Sequence, residues 1–184
     1  MQTYTEKIDS AFETLKGDFA YGNKMQAPKI EKIVISTGIG KIADAKKIDL
    51  IQDRIAKFTG QKSAARGAKQ SIAAFKLREG DVVGYQVTLR GLRMQDFFEK
   101  LIHVALPRMR DFRGIKKSAI DELGNITIGI KEHTIFPETS DEEQRNVFGI
   151  AITIVTTAKS KKEANAFLRH MGVPLKKEEE KKKK

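Results

Sequence analysis

The chain has 184 residues, of which 40% are hydrophobic and 32% charged, enough for one good core under a wet, ionic surface. It contains no cysteine, which excludes disulfide frameworks, Cys-based zinc sites and Cys nucleophiles and suits a reducing cytosol. Its formal net charge is +11, and no apolar stretch approaches the ~18 residues of a membrane span, so a soluble, intracellular single domain with an anionic partner is expected.

The amino terminus, MQTYTEKIDSAFETL, lacks the apolar centre of a signal peptide. Tyr4, Ile8, Ala11, Phe12 and Leu15 recur at helical spacing, and Gly17 is placed to end that helix. Lys29–Ser36 is β-branched and partly alternating, which predicts a strand broken by Gly38 and Gly40. A second helix follows, with Ile48, Ile51, Ile55 and Phe58 on one face and a stop at Thr59-Gly60. From Gln61 to Asp81 small residues and cations dominate, too little apolar surface to pin a core, so an exposed hairpin or long loop is expected. Val83, Tyr85, Val87 and Leu89 then alternate with Gln86, Thr88 and Arg90 as a strand. A third helix, from about Arg93 to Leu106, is ended by Pro107. Beyond the basic loop PRMRDFRG, strands at Asn125–Lys131 and Phe148–Thr157 flank an acidic connector, EHTIFPETSDEEQRN. Ser160 and Glu163 fit a capping box for the last helix. This order predicts an α+β fold: a single domain (1–175) with a curved, mostly antiparallel sheet and helices on one face. The ending KKEEEKKKK (176–184) is charged throughout and expected to be disordered.

The charge is unevenly placed. Residues 61–117 hold 13 Lys/Arg against 5 Asp/Glu, whereas 1–60 hold 10 against 8 and 118–175 hold 6 against 8. Lys62, Arg66, Lys69, Lys76, Arg78, Arg90 and Arg93 are interleaved with Ser, Thr, Gln and Gly, groups that hydrogen-bond phosphates and 2′-hydroxyls. Only Phe75 and Tyr85 are aromatic there, which argues against a base-stacking platform and for readout of a folded RNA by shape and backbone. The plain alternative is a solvated basic face. Gly38-Ile-Gly40-Lys-Ile-Ala43 fits a dinucleotide-binding pattern, but the stretch where the ribose-binding acid is needed, Thr59–Ala68, holds no carboxylate. His103, His133 and His170 each lack a second ligand at metal spacing, and no Ser stands near a His as a nucleophile. No catalytic residue, metal or cofactor is expected.

TGQK (Thr59–Lys62), AKQSIAAFKLREG (Ala68–Gly80), VTLRG (Val87–Gly91), LPRMRDFRG (Leu106–Gly114), GNITIGIKEHTIFPE (Gly124–Glu138), ITIVTTAK (Ile152–Lys159) and a closing LRHMGVPL run in one order. Together they resemble the bacterial form of the large-subunit ribosomal protein five family, over roughly residues 3–175. The resemblance implies a non-enzymatic, cytoplasmic ribosomal protein with 5S rRNA on the open face of its sheet. It also implies contacts with large-subunit rRNA, the elbow of P-site tRNA, neighbouring 5S-binding proteins and protein thirteen of the small-subunit head, and no membrane. Carried onto this sequence, the 5S rRNA site comprises Lys32, Ser36, Gln61, Thr88 and Arg90. A slim hairpin at about 62–80, with Arg66, Lys69, Lys76 and Arg78, would meet tRNA or rRNA backbone. The acidic connector, through Glu138, Asp141, Glu142 and Glu143, would meet a basic protein across the subunit interface, since RNA phosphates repel it. One departure stands out: the family usually shows Asn-Met-Gly where this chain has Ser36-Thr37-Gly38, which shortens the polar reach. The rival reading is a general basic RNA-binding protein or RNA chaperone.

Overall fold

The structure, a computed structural model, describes residues 3–40, 42, 44–141 and 146–176. The expected disordered tail at 176–184 lies, apart from Lys176, outside the described residues. Helix α1 (Tyr4–Phe19) opens on Thr3, whose hydroxyl accepts from the Glu6 N–H while Glu6 reaches back to the Thr3 N–H at 3.0 Å. Gly17 does not end it. The helix runs on because Phe19 packs against the core and stacks on Tyr21, and Ala20, at φ 50, makes the left-handed exit. Strand β1 (Ile30–Gly38) leads to α2 (Ala45–Thr59), which begins on Asp44 and ends at Gly60 with φ 69.

A short strand, β2 (Ala64–Gly67), follows, which the sequence does not announce because all four of its residues are exposed. It pairs with β3 (Val82–Leu89) and carries a slip between Arg66 and Gly67. The 14 residues between them fold back as an exposed hairpin, closed by a bridge between Ile72 and Leu77. Helix α3 starts at Gly91 rather than Arg93, and Pro107 lies inside its last turn instead of ending it: Gly91–Lys100 is α-helical, Leu101–Ala105 is a π turn and Leu106–Arg108 is α-helical again. Proline cannot donate a backbone bond and its ring crowds the carbonyl four residues back; a wider turn immediately before it relieves both problems. Strands β4 (Ile126–Ile130) and β5 (Ile150–Thr156) and helix α4 (Lys161–His170) complete the chain.

The expected capping box on α4 is only half made. The Ser160 hydroxyl accepts from the Glu163 N–H at 3.3 Å, but the Glu163 carboxylate turns to the Lys159 N–H at 2.7 Å and to the Tyr21 hydroxyl. The reach that would close the box instead ties α4 to the segment after α1.

The five strands are ordered β2-β3-β1-β5-β4, and every pairing is antiparallel. The glycine pattern at 38–43 therefore does not lie in a parallel β-α-β unit. One face of the sheet carries Ile33 and Ile35 from β1, Val87 and Leu89 from β3, Ile126 and Ile128 from β4, and Ile152 and Ile154 from β5, all buried. These pack in one core with Ile51, Ile55 and Phe58 of α2, Met94, Phe97 and Phe98 of α3, and Phe167 and Leu168 of α4. The helices cover that face alone, so the alternate residues of each strand form an open face. Gly84 lets β3 approach β1 closely: a Cβ there would lie 2.6 Å from the Thr37 carbonyl oxygen.

Candidate nucleic-acid interface

The strand registers set the open face out in rows. Thr88, Val34, Thr153 and Thr127 lie side by side across β3, β1, β5 and β4, and Gln86, Ser36, Ala151 and Gly129 form the next row. The result is a surface of hydroxyls and small side chains, with one amide at its β3 end. Such groups hydrogen-bond sugars and phosphates and leave the backbone accessible. Lys32, one pair before Val34 on β1, adds charge beside Val155. The structure thus brings Lys32, Ser36 and Thr88 of the expected 5S rRNA site onto one face.

Gln61 and Arg90 sit at its border. Gln61 follows the end of α2, and its Nε2 donates to the Thr88 carbonyl at 3.4 Å. Arg90 leaves β3 to start α3, and its Nη1 lies 3.2 Å from Glu31 Oε1. The same carboxylate oxygen lies 3.7 Å from the Lys32 ammonium, so Glu31 holds both cations together on the border of the face. At the Ser36-Thr37 departure the two side chains part company. Ser36 faces outward with no side-chain bond among the described residues, whereas the buried Thr37 hydroxyl donates to the Gly149 carbonyl at 2.8 Å. Sequence reasoning singled out neither Gln86, Thr127 nor Thr153. Alternation marks Gln86 as outward, but which residues of β4 and β5 stand beside it depends on pairing, which no single strand encodes.

The hairpin divides into a base and a tip. Arg66 belongs to the base: its Nε donates to Gln86 Oε1 at 2.7 Å, fastening β2 to the sheet. Ser63, expected in the slim exposed hairpin, is buried instead, 7% exposed. Lys69, Lys76 and Arg78 extend from the tip with no side-chain partner among the described residues. Phe75, 75% exposed, stands among them. The backbone is held from within, by the Ser71 hydroxyl accepting the Glu79 N–H at 2.9 Å and Asp81 accepting the Arg78 N–H at 2.8 Å.

The acidic connector is less exposed than its composition suggests. Its first half is two short 3-10 turns, His133–Ile135 and Pro137–Thr139, that bury His133, Ile135, Phe136 and Thr139. Phe136 stacks on Phe58 with centroids 4.5 Å apart, which plants the connector in the core. Glu138 is bound to the Lys100 ammonium, which also donates to the Phe58 carbonyl at 2.9 Å. Asp141 remains exposed, and Glu142 and Glu143 lie outside the described residues. Of the other histidines, His170 Nε2 donates to the Lys7 carbonyl at 2.8 Å, joining α4 to α1. Among the described residues no group of three His, Cys, Asp or Glu side chains is placed to hold a metal, and no helix is long and apolar enough to cross a membrane.

Residues 23–78 match the family described as ribosomal protein L5, and residues 82–175 match the family describing the C-terminus of the same ribosomal protein. The chain is 46% identical over 177 residues to the large ribosomal subunit protein uL5 of Flavobacterium johnsoniae, covering 96% of this chain and 95% of that protein. It is 49% identical over 170 residues to the protein of the same name from Mycoplasma mycoides, covering 92% and 94%. The equivalent protein of an Anaeromyxobacter strain is 45% identical over 175 residues, covering 95% and 96%. The first family match ends within the hairpin and the second begins with β3, yet the single sheet takes strands from both. The chain belongs to the ribosomal protein L5 family, a family of structural ribosomal proteins rather than enzymes.

Proposed function

We propose that this protein is a cytoplasmic constituent of the large ribosomal subunit that binds 5S rRNA with the open face of its sheet and helps to fix that RNA in the central protuberance. The observation that carries the reading is the row Gln86, Ser36, Ala151 and Gly129 beside the row Thr88, Val34, Thr153 and Thr127, an uncovered face of polar and small side chains. Lys32 and Arg90 give that face positive charge at its border without filling it. Sugar and phosphate contacts of this kind recognise a folded RNA by its shape. The hairpin tip, with Lys69, Lys76 and Arg78 unpaired among the described residues, suits the elbow of P-site tRNA, because phosphates and sugars are common to every tRNA. The exposed Asp141, with the acidic Glu142 and Glu143 next to it in sequence, suits protein thirteen of the small-subunit head, with large-subunit rRNA and neighbouring 5S-binding proteins as further partners.

Titration of 5S rRNA against the protein tests the reading. Gln61→Ala with Thr88→Val is expected to weaken binding by roughly tenfold, the effect of losing one or two hydrogen bonds, with thermal stability nearly unchanged. Unaltered binding by the double variant removes the site. Equal competition by an unrelated folded RNA selects the RNA-chaperone reading instead.

A further inference from the structure

Beside the outer edge of β4, the basic loop after α3 forms one wall of a trough of about 480 Å³. Arg110, Arg113 and Lys116 line it together with Ser118 and Thr127. All three cations are exposed, and none has a hydrogen bond or ion pair from its side chain among the described residues. This contrasts with Arg66, Arg90 and Lys100, each of which is fastened to a partner in the fold. One carboxylate, Asp111, shares the trough, so its charge is clearly positive. A neighbouring trough of about 430 Å³ sets Arg110 and Lys131 against Asp111 and Glu132, a balance that offers an anion nothing. The attraction is therefore confined to the first.

Gly129 borders the trough and also closes the row that runs from Ser36 through Ala151. A Cβ added to Gly129 would meet nothing within 4 Å, so the passage from open face to trough is unobstructed. From β1 to β4 is two strand spacings, about 10 Å. We propose that this trough takes the sugar–phosphate backbone of an RNA strand that crosses the open face and wraps over the β4 edge. Guanidinium groups match phosphate oxygens in paired hydrogen bonds, and the Ser118 and Thr127 hydroxyls stand where ribose would pass.

The proposal rests on the reading that the open face meets 5S rRNA, and its test separates the two. The full chain and its variants are titrated with 5S rRNA over a range of salt concentrations. Replacing Arg110, Arg113 and Lys116 together by Gln is expected to lower affinity and to reduce the salt slope by about 2, at roughly 0.7 for each phosphate left without its cation. Ser118→Glu, which sets a carboxylate in the trough and outside both open-face rows, is expected to weaken binding at least tenfold, while Lys16→Gln on α1 leaves it unchanged. If the triple variant keeps the wild-type slope and Ser118→Glu binds like Lys16→Gln, the trough holds no RNA, even where Gln61→Ala with Thr88→Val still weakens binding. If the wild-type chain itself does not bind 5S rRNA, the open-face reading fails and the proposal falls with it.

Discussion

Single residues decide how closely the strands approach and how the turns hold. A methyl group at Gly84 would sit 2.6 Å from the Thr37 carbonyl oxygen, and backbone cannot yield there as a flexible side chain would. Gly84→Ala is therefore expected to cost about 1–3 kcal/mol, as overpacking does, read as a lower urea midpoint, with Gly129→Ala as the neutral control. A midpoint equal to that of wild type would mean that β1 and β3 can separate freely. Asp121 anchors the turn before β4. Its carboxylate accepts the Asn125 N–H at 2.7 Å and the Asn125 side-chain amide at 3.0 Å. Desolvation raises its pKa, but the hydrogen bonds from Asn125, Leu123 and Gly124 together outweigh that and hold it below the ordinary value. A carboxyl depressed in the folded state contributes stability above its unfolded pKa and loses it as pH falls through the folded value. Asp121→Asn should thus lower the melting temperature at pH 7 and bring it nearer to wild type at acid pH; an equal deficit at both would exclude the carboxylate as the cause. Neither site is marked as special by its own sequence neighbourhood. Gly84 reads as an ordinary strand interruption until the register sets it opposite Gly38.

Elements were legible in proportion to how much apolar surface they bury. α1, α2, β1 and β3 declare themselves by period, because each has one face in the core. β2 does not, since its four residues are all exposed and only its hydrogen bonds to β3 define it. The π turn in α3 escapes detection because periodicity there continues through Leu101, Ile102 and Ala105, all buried, while the hydrogen-bond pattern changes beneath it. The acidic connector misleads in the other direction, its composition concealing the Phe136 anchor. At the start of α4, Glu163 is only 7% exposed and receives the Tyr21 hydroxyl and the Lys159 N–H. Burial, reinforced by that carboxylate, pushes the Tyr21 hydroxyl well above the ordinary phenol range, so it stays protonated and donating. Glu163→Ala leaves both donors without an acceptor and is expected to cost about 1–3 kcal/mol, whereas Glu163→Gln should recover part of that. Equal losses in a denaturant titration would assign the effect to packing. The hairpin tip makes the opposite prediction. Alanine at Lys69, Lys76 and Arg78 together removes no side-chain bond within the described fold, so stability should be unchanged while P-site tRNA is held less tightly and 5S incorporation continues. Failed assembly, with normal tRNA affinity in whatever subunits form, would make the hairpin an rRNA anchor instead.

At the scale of the molecule, the fold is a division of labour between the two faces of one sheet. Isoleucine-rich alternation binds one face to the helices, and the same alternation leaves Ser36, Thr88, Thr127 and Thr153 on the other. That the chain would form an α+β sheet was legible because the period-2 and helical segments are strong. The strand order β2-β3-β1-β5-β4 was not, since it depends on which edges meet. The function proposed for the open face requires RNA to lie against that face only, and lysine reactivity reads this directly. Lys32 lies on the open face, while Lys69 and Lys76 lie on the hairpin; Lys16 belongs to α1, and Lys24, paired with Asp9 at 2.9 Å, follows it on the helical side. In the complex with 5S rRNA, acylation of Lys32 should fall severalfold while Lys16 and Lys24 react as in the free protein. Lys69 and Lys76 should stay reactive in that binary complex and become protected only in ribosomes carrying P-site tRNA. Because the attraction is largely ionic, raising the salt concentration should restore Lys32 reactivity in step with RNA release and without unfolding. Protection of Lys16 and Lys24 together with an unprotected Lys32 would place the RNA on the helices and overturn the assignment of the open face.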